Sequence, residues 1–477
     1  MQRGHTQHSF AARPLLNSRP DFFAGTWHTV NHTLEQLRSG QLIGTQRLNL
    51  ACGLTEFPRE IFDLADTLEI LDLSGNALSS LPDDLPRLHK LRVLFCSNNQ
   101  FVALPEILGQ CAQLSMIGFK ANRIRTVAGT ALPATLRWLI LTDNQIEDMP
   151  VDIGRCTQLQ KLMLAGNRLS TLPVQLSHCS RLELLRISAN RFVALPDWLL
   201  SMPRLSWLAF AGNPFCEERE RVALAESRTT DIRWSQLQVH NQLGEGASGI
   251  IYRAEYQCDD GLRAVALKLF KGEMTSDGLP RSEMAACISA GAHPALIAIT
   301  GTLIDHPAGA SGLVMPLIDP AFRILAGPPS LASCTRDTYS ADTVFDPATL
   351  LGIAQGIASA AMHLHAQGIL HGDLYGHNIL HCGGGNVLLG DFGAASLFGT
   401  GSSIALSLQR LEVRAFGCLL DELVERCEVR SDDHIVIARL AAVAASCLQR
   451  DNLQRPLFEQ LVQEIFAITE LHQASAR

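Results

Sequence analysis

Several features that would narrow the reading are missing from this chain. No run of about 18 uninterrupted apolar residues occurs, so no membrane-spanning helix is expected. The opening MQRGHTQHSFAARP has no apolar stretch, so no secretory signal is expected either. The 13 cysteines stand singly, without a C-x-x-C pair. That argues against a disulfide framework or a zinc site and for a reducing cytoplasm, although export as an effector stays open. The 16 histidines are scattered and form no H-E-x-x-H, so a metal site built from them is not expected. Formal net charge is -8 with dispersed arginines, which points away from nucleic acid and anionic membrane surfaces. Lysine is scarce, and the C-terminal half holds only Lys268 and Lys271.

What is present is a core-forming composition, 47% hydrophobic and 18% charged, in a chain of 477 residues, long enough for two or more domains. Residues 1–43 read as a polar tail and an N-terminal cap, with a short amphipathic helix between Thr29 and Gly40. An asparagine then recurs at 76, 99, 122, 144, 167, 190 and 213. Each follows an L-x-x-L-x-L-like run such as Leu159-Leu162-Leu164, and most precede x-L-x-x-L-P. A shorter turn at Leu48, Leu50 and Leu54 brings the array to about eight units of 22–23 residues over 44–216. The pattern matches the leucine-rich repeat, an α/β solenoid in which stacked leucines form one core and each Asn satisfies backbone where the chain leaves its strand.

In such a strand the residues flanking the inward leucine face the concave side. One column reads Ile70, Val93, Met116, Trp138, Lys161, Leu184, Trp207; the other Asp72, Phe95, Gly118, Ile140, Met163, Arg186, Ala209. Phe95, Met116, Trp138, Ile140 and Met163 are therefore expected to form an exposed apolar patch that holds a protein ligand, or the other domain of the same chain.

Residues 217–234 are charged and then polar, and read as a linker. The remainder, 235–470, is organised around His371 to Gly393. There Ile379-Leu380 and Val387-Leu388-Leu389 flank a Cys-Gly-Gly-Gly-Asn turn, the signature of a hairpin. The hairpin brings Asn378 and Asp391 together, two oxygen donors suited to a hard cation, with Asp373 just before them. Upstream, Leu243-Gly-Glu-Gly-Ala-Ser-Gly249 precedes an apolar strand rather than a helix, and Lys268 lies in the next strand.

H-x-D-x-x-x-x-N followed by D-F-G, behind a glycine loop and Val-Ala-Leu-Lys268, resembles the protein kinases. The whole resembles the leucine-rich repeat–protein kinase fusions of bacteria and plants: a repeat solenoid followed by an α+β two-lobed kinase-like domain. The resemblance implies ATP and Mg²⁺ as cofactors and a protein substrate. It assigns Leu243, Gly244, Gly246 and Gly249 to the phosphate-covering loop and Lys268 to the phosphates. Glu283, on a helix over 276–290, becomes the partner of Lys268. Met315 lies beside adenine, whose edge would meet the Pro316 carbonyl and the Ile318 N–H. Asp373 becomes the acceptor-orienting carboxylate, and Asn378 and Asp391 the metal ligands.

Four departures accompany it. Gly372 stands for the Arg of H-R-D and Tyr375 for the usual Lys. No A-P-E follows the short 393–412 segment, which leaves Arg455 without its usual partner. Glu412 stands for an Asp at the opening of a buried helix. The expected activity is serine/threonine kinase catalysis; the alternative is a pseudokinase-type, ATP-binding scaffold whose repeats hold a partner.

Overall fold

The computed structural model describes residues 31–226, 229–246, 248–271, 274–428 and 433–475. The polar tail therefore lies largely outside the described residues. Helix α1, Leu34–Arg38, is shorter than the expected span. Thr33 Oγ1 accepts from Gln36 N (3.1 Å) and Gln36 Oε1 from Thr33 N (2.9 Å), a capping box that fixes its start.

Eight three-residue strands follow: β1 (Arg47–Asn49), β2 (Ile70–Asp72), β3 (Val93–Phe95), β4 (Met116–Gly118), β5 (Trp138–Ile140), β6 (Lys161–Met163), β7 (Leu184–Arg186) and β8 (Trp207–Ala209). They pair in chain order as one parallel sheet. The central residues Leu71, Leu94, Ile117, Leu139, Leu162, Leu185 and Leu208 are fully buried and stack into a continuous core. The asparagines tie successive turns together. Asn167 Nδ2 donates to Leu141 O (2.9 Å) and Leu164 O (3.0 Å), while its Oδ1 accepts from Ile146 N (3.0 Å). Those backbone groups would otherwise be buried and unpaired where each strand ends.

The array ends in α2, Pro214–Ala225, whose Cys216 joins the repeat core. Strand β9 (Thr230–Arg233) lies in the next sheet, with β10 (Leu237–Glu245), β11 (Gly249–Cys258) and β12 (Gly261–Phe270). Helix α3 (Pro280–Ala290) starts four residues later than expected, at a proline suited to a first turn. Strands β13 (Gly301–Ile304) and β14 (Gly312–Pro316) complete this lobe, in the order β10-β11-β12-β14-β13-β9.

The second lobe begins with β15 (Arg323–Ile324) and the long α4 (Pro347–Ala366), whose buried residues lie nearly all round it, as for a core helix. Then come β16 (Ile369–Leu370), β17 (Ile379–Cys382), β18 (Asn386–Leu389), β19 (Ser396–Leu397), α5 (Ala405–Val424), α6 (His434–Cys447) and α7 (Phe458–Ser475). β17 and β18 form the expected hairpin, Ile379 opposite Leu389. Glu412 does not open its helix: α5 starts at Ala405, and Glu412 is buried within it.

The two halves share apolar cores. Leu370, Phe398, Ala405, Leu408 and Leu411 belong to the same cluster as the repeat leucines. Leu184 and Trp207, from the repeats, belong to the core of the second lobe. The expected exposed patch is not exposed. Phe95 is 9%, Met116 3%, Trp138 3% and Ile140 7% accessible, and Met163 is half-buried. They pack with Leu331 and Cys334, from the segment between β15 and α4, which lies against the concave face. That segment has no apolar periodicity, so its two contact side chains do not stand out from the residues around them.

Candidate active site

The glycine loop joins β10 to β11, closed by Gly246 N to Gly249 O at 2.8 Å. A Cβ on Gly249 would stand 2.5 Å from Leu269 O, so strand packing alone requires that glycine. A Cβ on Gly244 would meet nothing within 4 Å, so packing does not demand that one and the space beside it is open to a ligand. Leu243 is exposed beside it. On β12, the Lys268 ammonium pairs with Glu283 of α3, both side chains largely buried. Burial draws the lysine down, but the Glu283 and Asp391 carboxylates outweigh it and hold it above its ordinary value. Burial raises Glu283 despite the lysine. Met315 lies on β14 opposite Ala266 of β12, and Ile318 lies just past the end of that strand.

The loop from His371 to Asn378 carries the acidic side. His371 is fully buried; its Nε2 bonds Gly390 O (2.9 Å) and its Nδ1 accepts from Asp373 N (3.3 Å). Asn378 Nδ2 donates to Asp373 O (2.9 Å) and Oδ2 (2.8 Å). Gly390 N donates to Asn378 O (3.0 Å), which draws Asn378 and Asp391 together at the mouth of the hairpin. Asp391 sits in the left-handed region at φ 53°, and its Oδ1 accepts from Gly393 N (3.1 Å). With its nitrogen committed to Asp373, Asn378 has Oδ1 left to offer. One amide oxygen and one carboxylate fit a hard cation that keeps several waters.

Asp373 has a further partner that the pattern of this half gave no sign of. Arg186, from β7 of the repeats and 1% accessible, contacts its Oδ1. The same guanidinium donates through NH1 to Gly372 O (3.0 Å) and through Nε to Asp277 Oδ1 (2.6 Å). Burial alone would raise Asp373, yet Arg186, His377, His371 and Asn378 together hold it below the usual carboxylate range. Burial and the neighbouring carboxylates push Asp277 the other way.

Comparison with known proteins bears on both halves of the chain. Residues 237–415 match the protein kinase domain, and residues 67–88 and 134–192 match leucine rich repeat models. The chain is a leucine-rich repeat array joined to a protein kinase domain. Its kinase half is 26% identical over 167 residues to the serine/threonine-protein kinase PITSLRE of Drosophila melanogaster, covering 35% of this chain and 16% of that protein. It is also 26% identical over 197 residues to mouse serine/threonine-protein kinase A-Raf, covering 38% and 29%. The repeats are 30% identical over 119 residues to mouse leucine-rich repeat and calponin homology domain-containing protein 1, covering 24% and 17%. The chain thus spans under a third of the length of each of these relatives.

The departures of this kinase domain coincide with its contacts to the repeats. A Cβ on Gly372, at φ 72°, would stand 2.7 Å from Leu208 O of β8 and 2.6 Å from Ala394 O. Tyr375 stacks on Trp207 of β8, ring centroids 4.2 Å apart and planes within 6°, and Trp207 Nε1 donates to Leu374 O (3.0 Å). In the short segment after Gly393, buried Ser396 accepts through Oγ from Phe210 N (2.9 Å) and Ala211 N (3.1 Å). Buried Arg455 donates to carbonyls instead of a carboxylate: Gln449 (2.8 Å), Arg410 (3.1 Å) and, on the repeat side, Pro203 (3.0 Å). Glu412 accepts from Gly372 N (2.7 Å) and bonds His365 Nε2 (2.8 Å), holding the loop from below. Sequence reasoning missed Arg186, Trp207 and Asp277 as site residues. The available signal was the break that Arg186 makes in an apolar concave column.

Proposed function

We propose that this chain is an ATP- and Mg²⁺-dependent protein kinase that modifies serine or threonine and works in the cytoplasm. The observation that carries the proposal is the buried Lys268–Glu283 pair standing beside Asp391, with Asn378 and Asp373 joined to Asp391 through the mouth of the hairpin. That ion pair and the D-F-G aspartate must both be in place for phosphoryl transfer. In this reading the Gly244 to Gly249 loop covers the phosphates, and Lys268 holds them from β12. Met315, the Pro316 carbonyl and the Ile318 N–H receive adenine. A divalent cation on Asn378 and Asp391 would offset phosphate charge. Asp373 orients the acceptor hydroxyl and accepts its proton. The serine/threonine assignment leans on the names of the kinase relatives and on a catalytic loop unlike that of tyrosine kinases.

A second reading, an ATP-binding scaffold, is favoured by one observation: the repeats cover Gly372 and Leu374 on either side of Asp373, whose side chain is 18% accessible. The deciding experiment incubates purified protein with Mg²⁺ and labelled ATP beside Asp373→Ala and Lys268→Met. Transfer to itself or a generic protein acceptor that both variants lose is expected. No transfer from the wild type, with ATP still raising its melting temperature, would leave the scaffold.

A further inference from the structure

The contact between Arg186 and the catalytic loop rests on a permanent surface. Its neighbours Leu184 and Trp207 are part of the kinase core, and Leu370, Phe398, Ala405, Leu408 and Leu411 are part of the repeat core. Separating the halves would expose both cores to water, so Arg186 behaves as a built-in member of the loop's surroundings. Of the other cations nearby, Lys268 pairs with Glu283, His377 with Asp337 (2.7 Å), and Lys161 lies over the Trp138 ring, 4.3 Å from its centroid. Position 375, where resemblance calls for a lysine, holds a tyrosine stacked under Trp207. The Arg186 contacts use three of the five N–H donors of a guanidinium that is itself buried, so its charge acts on the centre through Asp373 and the loop that carries it. Phosphoryl transfer depends on cations placed beside the moving group, and arginines brought in from another element serve that purpose elsewhere.

We propose that Arg186, contributed by the repeat array, is a positioning residue of the phosphoryl-transfer centre: it fixes the Asp373 carboxylate and supplies the cation that the catalytic loop lacks at Tyr375. The inference rests on the kinase reading above and deepens it. Asp277 holds the guanidinium at Nε, next to the nitrogen that contacts Asp373, which fixes its plane relative to that carboxylate. The repeat array is then a structural part of the catalytic centre.

The test measures steady-state transfer in full-length Arg186→Ala and Arg186→Lys, with melting curves in the presence and absence of Mg²⁺-ATP. Expected for Arg186→Ala is a fall in kcat of about a hundredfold, with KM for ATP within about twofold and partial rescue by lysine. If the alanine variant fails to fold, Arg186→Gln combined with Asp277→Asn removes the cation together with a carboxylate it offsets, and the same split between kcat and KM is expected. Transfer unchanged or faster without Arg186 overturns the proposal, as does a fall that tracks lost folding with no rescue by lysine. If the wild type is inert but Arg186→Ala transfers, the kinase reading stands and Arg186 is a block. If neither transfers, both fall.

Discussion

Replacing Trp207 with alanine separates a shared core from a mere contact. The indole is 1% accessible, lies flat on Tyr375 and donates to Leu374 O at 3.0 Å. Truncating a buried tryptophan costs about 3–5 kcal/mol. Unfolding entropy is roughly 2.1 cal/mol/K per residue, so if all 477 residues melt together the midpoint falls by about 4 °C. A kinase half melting alone has about half that entropy and would drop by about 8 °C for the same loss. Scanning calorimetry reads both the shift and the number of transitions. One main transition is expected, lowered by about 4 °C in Trp207→Ala. Trp207→Phe, which keeps a ring but leaves the Leu374 carbonyl unpaired, should lose only about 1–3 kcal/mol. Two separate wild-type transitions, with the kinase one unmoved by Trp207→Ala, would refute the shared core.

Two further outcomes follow from single positions. Gly372→Ala introduces a Cβ at φ 72° against two carbonyl oxygens, and should lower stability in chemical denaturation by about 2 kcal/mol or more. Wild-type stability would mean that the repeats yield there. Burial among Asp337 and other groups pushes Glu422 up to about 8, above its unfolded value. The folded chain then holds a proton that the unfolded chain has released, so this residue's contribution to stability falls as pH rises from about 4 to 8. Glu422→Gln should flatten that slope in melts run across the range, and an unchanged slope would remove Glu422 as its source.

The repeats were legible because their signal is local: every leucine stacks on the equivalent one about 23 residues away, and every asparagine closes its own turn. The pairing of Lys268 with Glu283, and of Asp373 with Asn378 beside Asp391, was legible because each is set by spacing within one lobe or across a hairpin. The docking of the halves was not. It depends on pairs such as Arg186 and Asp373, 187 residues apart, and on Leu331 and Cys334 in a segment with no periodicity. The same blindness made the concave patch seem exposed and the changes at Gly372 and Tyr375 seem like losses, when each meets a repeat residue.

The array touches the kinase domain at four places. One is the middle strands under Leu331 and Cys334, another the late strands at the His371–Asn378 loop, and a third the final turns near Asn452 and Arg455. The fourth is on the first lobe, where Lys120 meets Ser276 (3.3 Å), Arg186 meets Asp277 (2.6 Å) and Glu220 of α2 meets Ser282 (2.8 Å). The array therefore works as a clamp across both lobes, and the start of α3 and the second lobe are tied into a single frame.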